Sequence, residues 1–184
     1  MISRRGLIHI MSGFLVLISV ASAASYGKIP SFSLITQSGK KVTLADFRGH
    51  PWIADFIYTR CTDECPLLSQ KIERLQKQLP SGINLVSFSV DPVHDTPAVL
   101  TRYARHFSAG PRWFFLTGNP RTIAALAKNG FHIPVIKNRS VILHTNQFVL
   151  VDAGGSIRGY YDSESPAELE RLAKDVQVLT ANRD

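Results

Sequence analysis

Asp55-Phe56-Ile57-Tyr58-Thr59-Arg60-Cys61-Thr62-Asp63-Glu64-Cys65-Pro66 holds both cysteines of the 184-residue chain. They stand four positions apart, just after an apolar run and at the start of a helical pattern. Thiols at i and i+4 lie on one face of a helix, where they can share a metal ion or close on each other. A chain of this length buries enough core to fold without disulfide staples, so a pair this close reads as functional rather than structural. The bland alternative, two thiols packed as small apolar residues, fits poorly with both lying at one junction.

The flanking pattern sets the fold. Trp52 to Tyr58 is apolar apart from Asp55 and reads as a buried strand. Leu68, Ile72, Leu75 and Leu79 mark one face of a helix over Glu64 to Leu79, stopped by Pro80-Ser81-Gly82. Ile83 to Val90 is a second buried strand, closed by Asp91-Pro92. Thr96 and Pro97 predict an N-cap and first helical residue for a helix through Phe107. Trp113 to Leu116 is a short strand, and Asn119-Pro120 opens a helix that Gly130 is expected to end in the left-handed conformation.

Before the first buried strand, Ile29 to Ile35 and Val42 to Leu44 read as a hairpin about Gln37 to Lys40. After the last strand-helix unit, Phe131 to Thr145 has no regular pattern and contains His144. Gln147 to Val151 and Ser156 to Tyr160 form a hairpin about Asp152-Ala153-Gly154-Gly155. Ser165-Pro166-Ala167-Glu168 reads as a capping box opening a final helix to about Leu179. This order predicts an α/β fold with a mixed central sheet, helices on both faces and an N-terminal β-hairpin. A cysteine pair where the first strand meets its helix is the thioredoxin-like arrangement, although the spacing here is C-x-x-x-C rather than C-x-x-C.

Composition, with 45% hydrophobic and 19% charged residues, is that of a globular domain. The formal charge is +7, but the basic residues are scattered and form no aromatic-interleaved strip, which argues against nucleic-acid binding. Arg4-Arg5, the 14-residue apolar run Leu7 to Val20 and Ala21-Ser22-Ala23 have the three parts of an export signal. The run is short beside the roughly 20 residues a spanning helix needs. Residues 1–23 are therefore read as a signal peptide or membrane anchor, and 24–184 as one folded domain. Export places that domain in the periplasm or on the periplasmic face of the inner membrane, and membrane association would come through the leader.

Cys61 stands at a helix start, where peptide dipoles and unpaired N–H groups favour a thiolate, and Arg60 adds positive charge. Asp63 and Glu64 oppose both effects. With three residues between them, the sulfurs close as a disulfide only if the helix start is distorted, whereas as ligands they need only face one centre. Two soft thiolates suit Cu(I), and an imidazole added to them makes a set able to hold either oxidation state of copper. Zinc takes the same ligands but usually four of them in structural sites, and there is no third cysteine. Spacing alone does not choose the imidazole from among His50, His94, His132 and His144.

At this point the blocks resemble a family. Asp55 to Cys61-x-x-x-Cys65-Pro66, then Ser89-Val90-Asp91-Pro92-x-x-Asp95-Thr96-Pro97-x-x-Leu100-x-x-Tyr103, then Trp113-x-x-Leu116-Thr117-Gly118, and His144-Thr145 occur in the order found in the Sco/SenC family. The resemblance runs from about Ile29 to Leu179. It implies a thioredoxin-like, exported and often membrane-anchored protein that binds copper in assembling the dinuclear copper centre of cytochrome c oxidase. It also implies Cys61, Cys65 and His144 as copper ligands, with Asp91 close to the site. The partners implied are the copper-centre subunit of the oxidase and other copper chaperones. Such a protein is a metallochaperone rather than an enzyme. The alternative is a thiol–disulfide oxidoreductase, with Cys61 and Cys65 as its redox pair, that keeps the partner's copper-centre cysteines reduced. A thiol peroxidase fits less well, because that pattern places Thr three residues before its cysteine and Thr59 stands two before Cys61. The chain departs from the family in having Thr62 where proline often follows the first cysteine, Ile57 in place of a frequent glycine, and Leu143 where an acidic residue is common.

Overall fold

The computed structural model describes residues 25–61, 64–133, 136–137, 142–143 and 146–181. The expected leader and His144 lie outside the described residues.

Nine strands and four α-helices are described. The strands are β1 (Ser33–Thr36), β2 (Lys41–Thr43), β3 (Trp52–Ile57), β4 (Asn84–Ser89), β5 (Trp113–Thr117), β6 (Ile136–Lys137), β7 (Ile142–Leu143), β8 (Gln147–Val151) and β9 (Ile157–Asp162). The helices are α1 (Glu64–Gln78), α2 (Pro97–His106), α3 (Pro120–Ala125) and α4 (Pro166–Ala181). Seven strands form one sheet in the order β2-β1-β5-β4-β3-β8-β9. β3, β4 and β5 run parallel at its centre, while the β1–β2 and β8–β9 hairpins close its two sides in antiparallel register. Such a centre needs crossover helices, and α1 and α2 are those crossovers.

The sheet divides the core in two, because successive residues of a strand point to opposite faces. On one face Trp52, Ala54 and Phe56 of β3 and Val86 and Phe88 of β4 meet Ile123, Leu126 and Phe131. Aromatic rings fill this layer, with Phe56 stacked on Phe88 at 5.2 Å and Phe131 set edge-on to Phe56 at 5.2 Å. On the other face Ile53 and Ile57 of β3 and Leu85 of β4 meet Leu68 and Ile72 of α1, Leu100 of α2, and Leu172 and Val176 of α4. Cys61 and Cys65 belong to this second layer. The expected α/β architecture, with a mixed sheet and helices on both faces, is the one observed.

Several local expectations are corrected. The first strand begins at Ser33, not Ile29, since Pro30 has no N–H to give to a ladder. Leu44 leaves the return strand and opens a 3₁₀ turn, Leu44–Phe47, in which Asp46 accepts from the Thr43 N–H at 2.7 Å. Gly130 is not left-handed. α3 instead runs into a π-helical turn, Leu126–Gly130, and His132 takes the left-handed conformation at φ 53°. Glycine is required at 130 because a Cβ there would sit 2.8 Å from Pro30 Cδ. The stretch expected to be irregular carries the short β6–β7 pair, with Ile136 opposite Leu143. At α4 only half of the capping box forms: the Glu168 N–H reaches Ser165 Oγ at 3.4 Å, but the Glu168 carboxylate turns to Arg171.

Candidate functional site

β3 ends at Ile57, and the chain leaves the sheet at its C-terminal edge, the usual location of sites in open α/β sheets. Val90 N–H donates to the Ile57 carbonyl at 2.8 Å, so the chain after β4 stays beside the chain after β3. The Cys61 N–H then turns back to the Tyr58 carbonyl at 3.2 Å. Cys65 is the second residue of α1, and its N–H points at Cys61 Sγ from 3.3 Å. One sulfur thus accepts a helix-start N–H that has no partner within the helix. Both cysteines are buried thiols, and Cys65 is fully buried. Burial pushes the Cys65 thiol far above its ordinary pKa. A backbone hydrogen bond at Tyr58 offsets part of that, and the neighbouring Cys61 and Asp55 add to it.

The turn between β4 and α2 grips the cysteine loop through two carboxylates. Asp95 is fully buried. Its oxygens accept from the Thr59 N–H at 3.2 and 3.3 Å, from the Thr59 hydroxyl at 2.6 Å and from the Ser89 hydroxyl at 2.6 Å. Asp91, almost wholly buried, takes Arg60 Nη2 at 2.7 Å and lies 3.0 Å from His94 Nδ1. Burial opposes its charge, but Arg60 and His94 outweigh that and hold the carboxyl below its ordinary value. The two residues are joined through Ser89, whose Oγ donates to the Asp95 carboxylate and accepts the Asp91 backbone N–H at 3.1 Å. From α2, the Tyr103 hydroxyl reaches the Cys65 carbonyl at 3.4 Å and Ser69 Oγ at 2.9 Å.

Of the residues expected at the site, Cys61 and Cys65 are brought together, and Asp91 is linked to their loop through Arg60. β7 ends one residue before His144, which is itself outside the described residues. The other candidate imidazoles are dispersed. His94 is committed to Asp91, the His50 N–H turns back to the Phe47 carbonyl, and His132 follows the π-helical turn. Among the described residues no group of three or more His, Cys, Asp or Glu side chains could hold a metal. Also among them, no helix is long and apolar enough to cross a membrane.

Sequence reasoning did not assign roles to Asp95, Thr59 or Tyr103, although all three lie in the quoted blocks. A signal was present, since Asp95 stands inside D-P-x-x-D-T-P yet is not needed as the helix cap, which Thr96 supplies. Asp55 is a second omission. It shares the face of Ile53 and Ile57 by strand alternation, opposite Ser87 of β4, inside the layer that holds both sulfurs. Neither of its oxygens meets a donor in hydrogen-bonding geometry among the described residues. Burial raises its pKa to about 7; the Ser87 hydroxyl opposite, near but outside bonding geometry, offsets this only in part.

The chain is similar to known proteins over most of its length. It is 31% identical over 157 residues, covering 82% of this chain and 81% of the relative, to a SCO1 protein homolog of Bacillus subtilis. BsSco, a member of the Sco family of cytochrome c oxidase assembly proteins in which a disulfide switch was identified, superposes with a TM-score of 0.76. That match is at 28% identity, over 86% of this chain and 96% of BsSco. ScoI of Bradyrhizobium japonicum, solved with copper bound, superposes with a TM-score of 0.66 at 26% identity, over 82% of this chain and 98% of that one. The SCO1/SenC family model matches residues 21–181. Thioredoxin-like fold, paired cysteines at the end of the first central strand and near-complete coverage agree, and the chain belongs to the SCO1/SenC family.

Proposed function

We propose that this chain is a copper metallochaperone that holds the ion between Cys61, Cys65 and His144. It would pass copper to the copper-centre subunit of cytochrome c oxidase, or exchange it with other copper chaperones. The observation that carries the reading is the Cys65 N–H lying 3.3 Å from Cys61 Sγ, with both sulfurs at one loop–helix junction. Two sulfurs so placed form a soft donor pair for Cu(I), and His144 in the family's position would extend the set to Cu(II). The copper-bound Bradyrhizobium relative supports the same chemistry. Copper is cargo here, and the protein's work is to bind, orient and release it. Asp91 would act from outside the ligand set by holding Arg60 and the loop in place. The leader would export the domain, and any membrane association would come through it.

Binding copper replaces the thiol protons. Burial keeps the Cys65 proton in place in the metal-free protein, so apparent affinity should weaken as pH falls, by up to about tenfold per pH unit for each proton displaced. Cu(I) titration of the reduced chain against a competing chelator tests the reading. One ion per chain is expected, with strong weakening in Cys61→Ser, Cys65→Ser and His144→Ala. Unaltered stoichiometry and affinity in all three would sink it.

A second reading, thiol–disulfide exchange, is favoured by the same approach of Cys65 N–H to Cys61 Sγ and by the disulfide switch of BsSco. In it, Cys61 as thiolate attacks a partner disulfide and releases one partner thiol. Cys65 then displaces the other, leaving the partner as a dithiol and this chain as the disulfide. Mixing reduced chain with an oxidised copper-centre domain and counting thiols on each protein checks it. No transfer of reducing equivalents would remove this reading while leaving the copper one intact.

A further inference from the structure

We propose that Asp95 is the positioning residue of the dithiol: through Thr59 it sets where Cys61 presents its sulfur. The inference deepens the copper reading and rests on it for its copper readouts, but its geometric core concerns the thiols alone.

Asp95 is remote in sequence from the loop it holds, 36 residues from Thr59. Every contact its carboxylate makes is with a donor: one N–H shared between both oxygens and two hydroxyls, both at 2.6 Å. A carboxylate is the side chain that meets this demand, since it only accepts and does so on two oxygens. An amide of the same shape would turn an NH₂ group toward a donor. Thr59 stands two residues before Cys61, and the intervening Arg60 is held by Asp91 from the same turn. The Asp95 backbone N–H donates to the Asp91 carbonyl at 3.0 Å, so the two grips share one rigid turn.

Between Ile57, held by Val90, and Cys61, the loop is gripped at both Thr59 and Arg60. Releasing Thr59 would let Cys61 drift relative to Cys65 while the strand and α1 stay in place. Supporting residues of this kind typically carry 10–100-fold in metal affinity.

The test uses the full chain and Asp95→Asn, with Thr59→Val as the second variant, since it deletes only the hydroxyl donor should Asp95→Asn fail to fold. Thr101→Val is the control: it removes an equally short hydroxyl bond, 2.6 Å to the Gln37 carbonyl, away from the loop. Three readouts are taken: Cu(I) affinity, the thiolate-to-Cu(II) charge-transfer spectrum, and, on metal-free protein, the iodoacetamide alkylation rate of Cys61. Expected are a 10–100-fold loss of affinity, a shifted or weakened charge-transfer band and at least a fivefold change in alkylation rate, none of them in Thr101→Val. A folded Asp95→Asn or Thr59→Val within twofold of wild type on alkylation and with an unchanged spectrum would overturn the proposal. If the wild type binds no copper, the chaperone reading fails, while the alkylation rates still decide the role of Asp95.

Discussion

Two buried aspartates in this protein meet opposite fates. Asp95, in the turn after β4, is surrounded by donors, two of them at 2.6 Å. Asp55, in the middle of β3, lies equally out of water with no donor in bonding geometry among the described residues. Burial alone disfavours a carboxylate in either place. What separates them is the backbone that surrounds each. A turn exposes N–H groups and hydroxyls that need acceptors, whereas a central strand has already spent its backbone groups on its neighbours. The donor-rich aspartate therefore works as a staple between two loops, whereas burial pushes the donor-poor one to a pKa of about 7.

The widest gap should appear on removing each carboxylate. Asp95→Ala leaves the Thr59 N–H and the Thr59 and Ser89 hydroxyls without their acceptor, at roughly 1–3 kcal/mol each, so a loss of about 5 kcal/mol is expected in urea unfolding. A loss under about 1 kcal/mol would mean that the staple is dispensable and the contrast with Asp55 false.

Asp55→Asn should go the other way. With a native pKa of about 7 against 3.8 unfolded, the native state holds a proton that the unfolded chain has already lost between those values. Wild-type stability should thus be full below about pH 4, decline as pH rises toward 7, and level off above it. The asparagine variant should lack this decline and be more stable than wild type at pH 8, by roughly 2–4 kcal/mol. Parallel pH–stability curves for the two proteins would show that Asp55 titrates normally.

The smallest effect belongs to Arg60, whose side chain is 58% exposed although its partner is 2% exposed. Arg60→Gln should cost under about 1 kcal/mol, because the exposed cation is screened by water and salt. The difference should exist above the ordinary carboxylate pKa and vanish as pH falls through the depressed pKa of Asp91. Raising salt from 0.05 to 0.5 M (about a threefold shorter screening length) should shrink it further. A loss of several kcal/mol would instead put Arg60 on a par with Asp95.

The same contrast explains what could be read in advance. Trp52 to Ile57, apolar but for Asp55, and Asn84 to Ser89, with Leu85, Val86 and Phe88, are legible as buried strands, because both faces of a central parallel strand are covered. Thr96 is legible as a cap and Asn119-Pro120 as a helix start because a side-chain oxygen beside the first turn is a local matter. Gly130 is not legible as this kind of glycine because its need for glycine comes from Pro30, a hundred residues earlier, rather than from its own backbone angle. The Glu168 half of the capping box was lost to Arg171, a competitor one turn further along the same helix. At the site, Asp55 was visible as the one polar residue of its strand, but not whether a donor awaited it.

By itself the sequence determined the fold class and the strand-to-helix junction that carries both cysteines. These follow from periodicity and from a separation of four residues, which short-range geometry governs. Only the tertiary structure decided that Asp95 grips Thr59, that Arg60 turns to Asp91, and that Asp55 has no donor in bonding geometry among the described residues. Such pairings depend on which strands become neighbours in the sheet. Whether a buried carboxylate finds its donors depends in large part on distant elements, as Thr59 lies 36 residues from Asp95, and no local pattern carries that information.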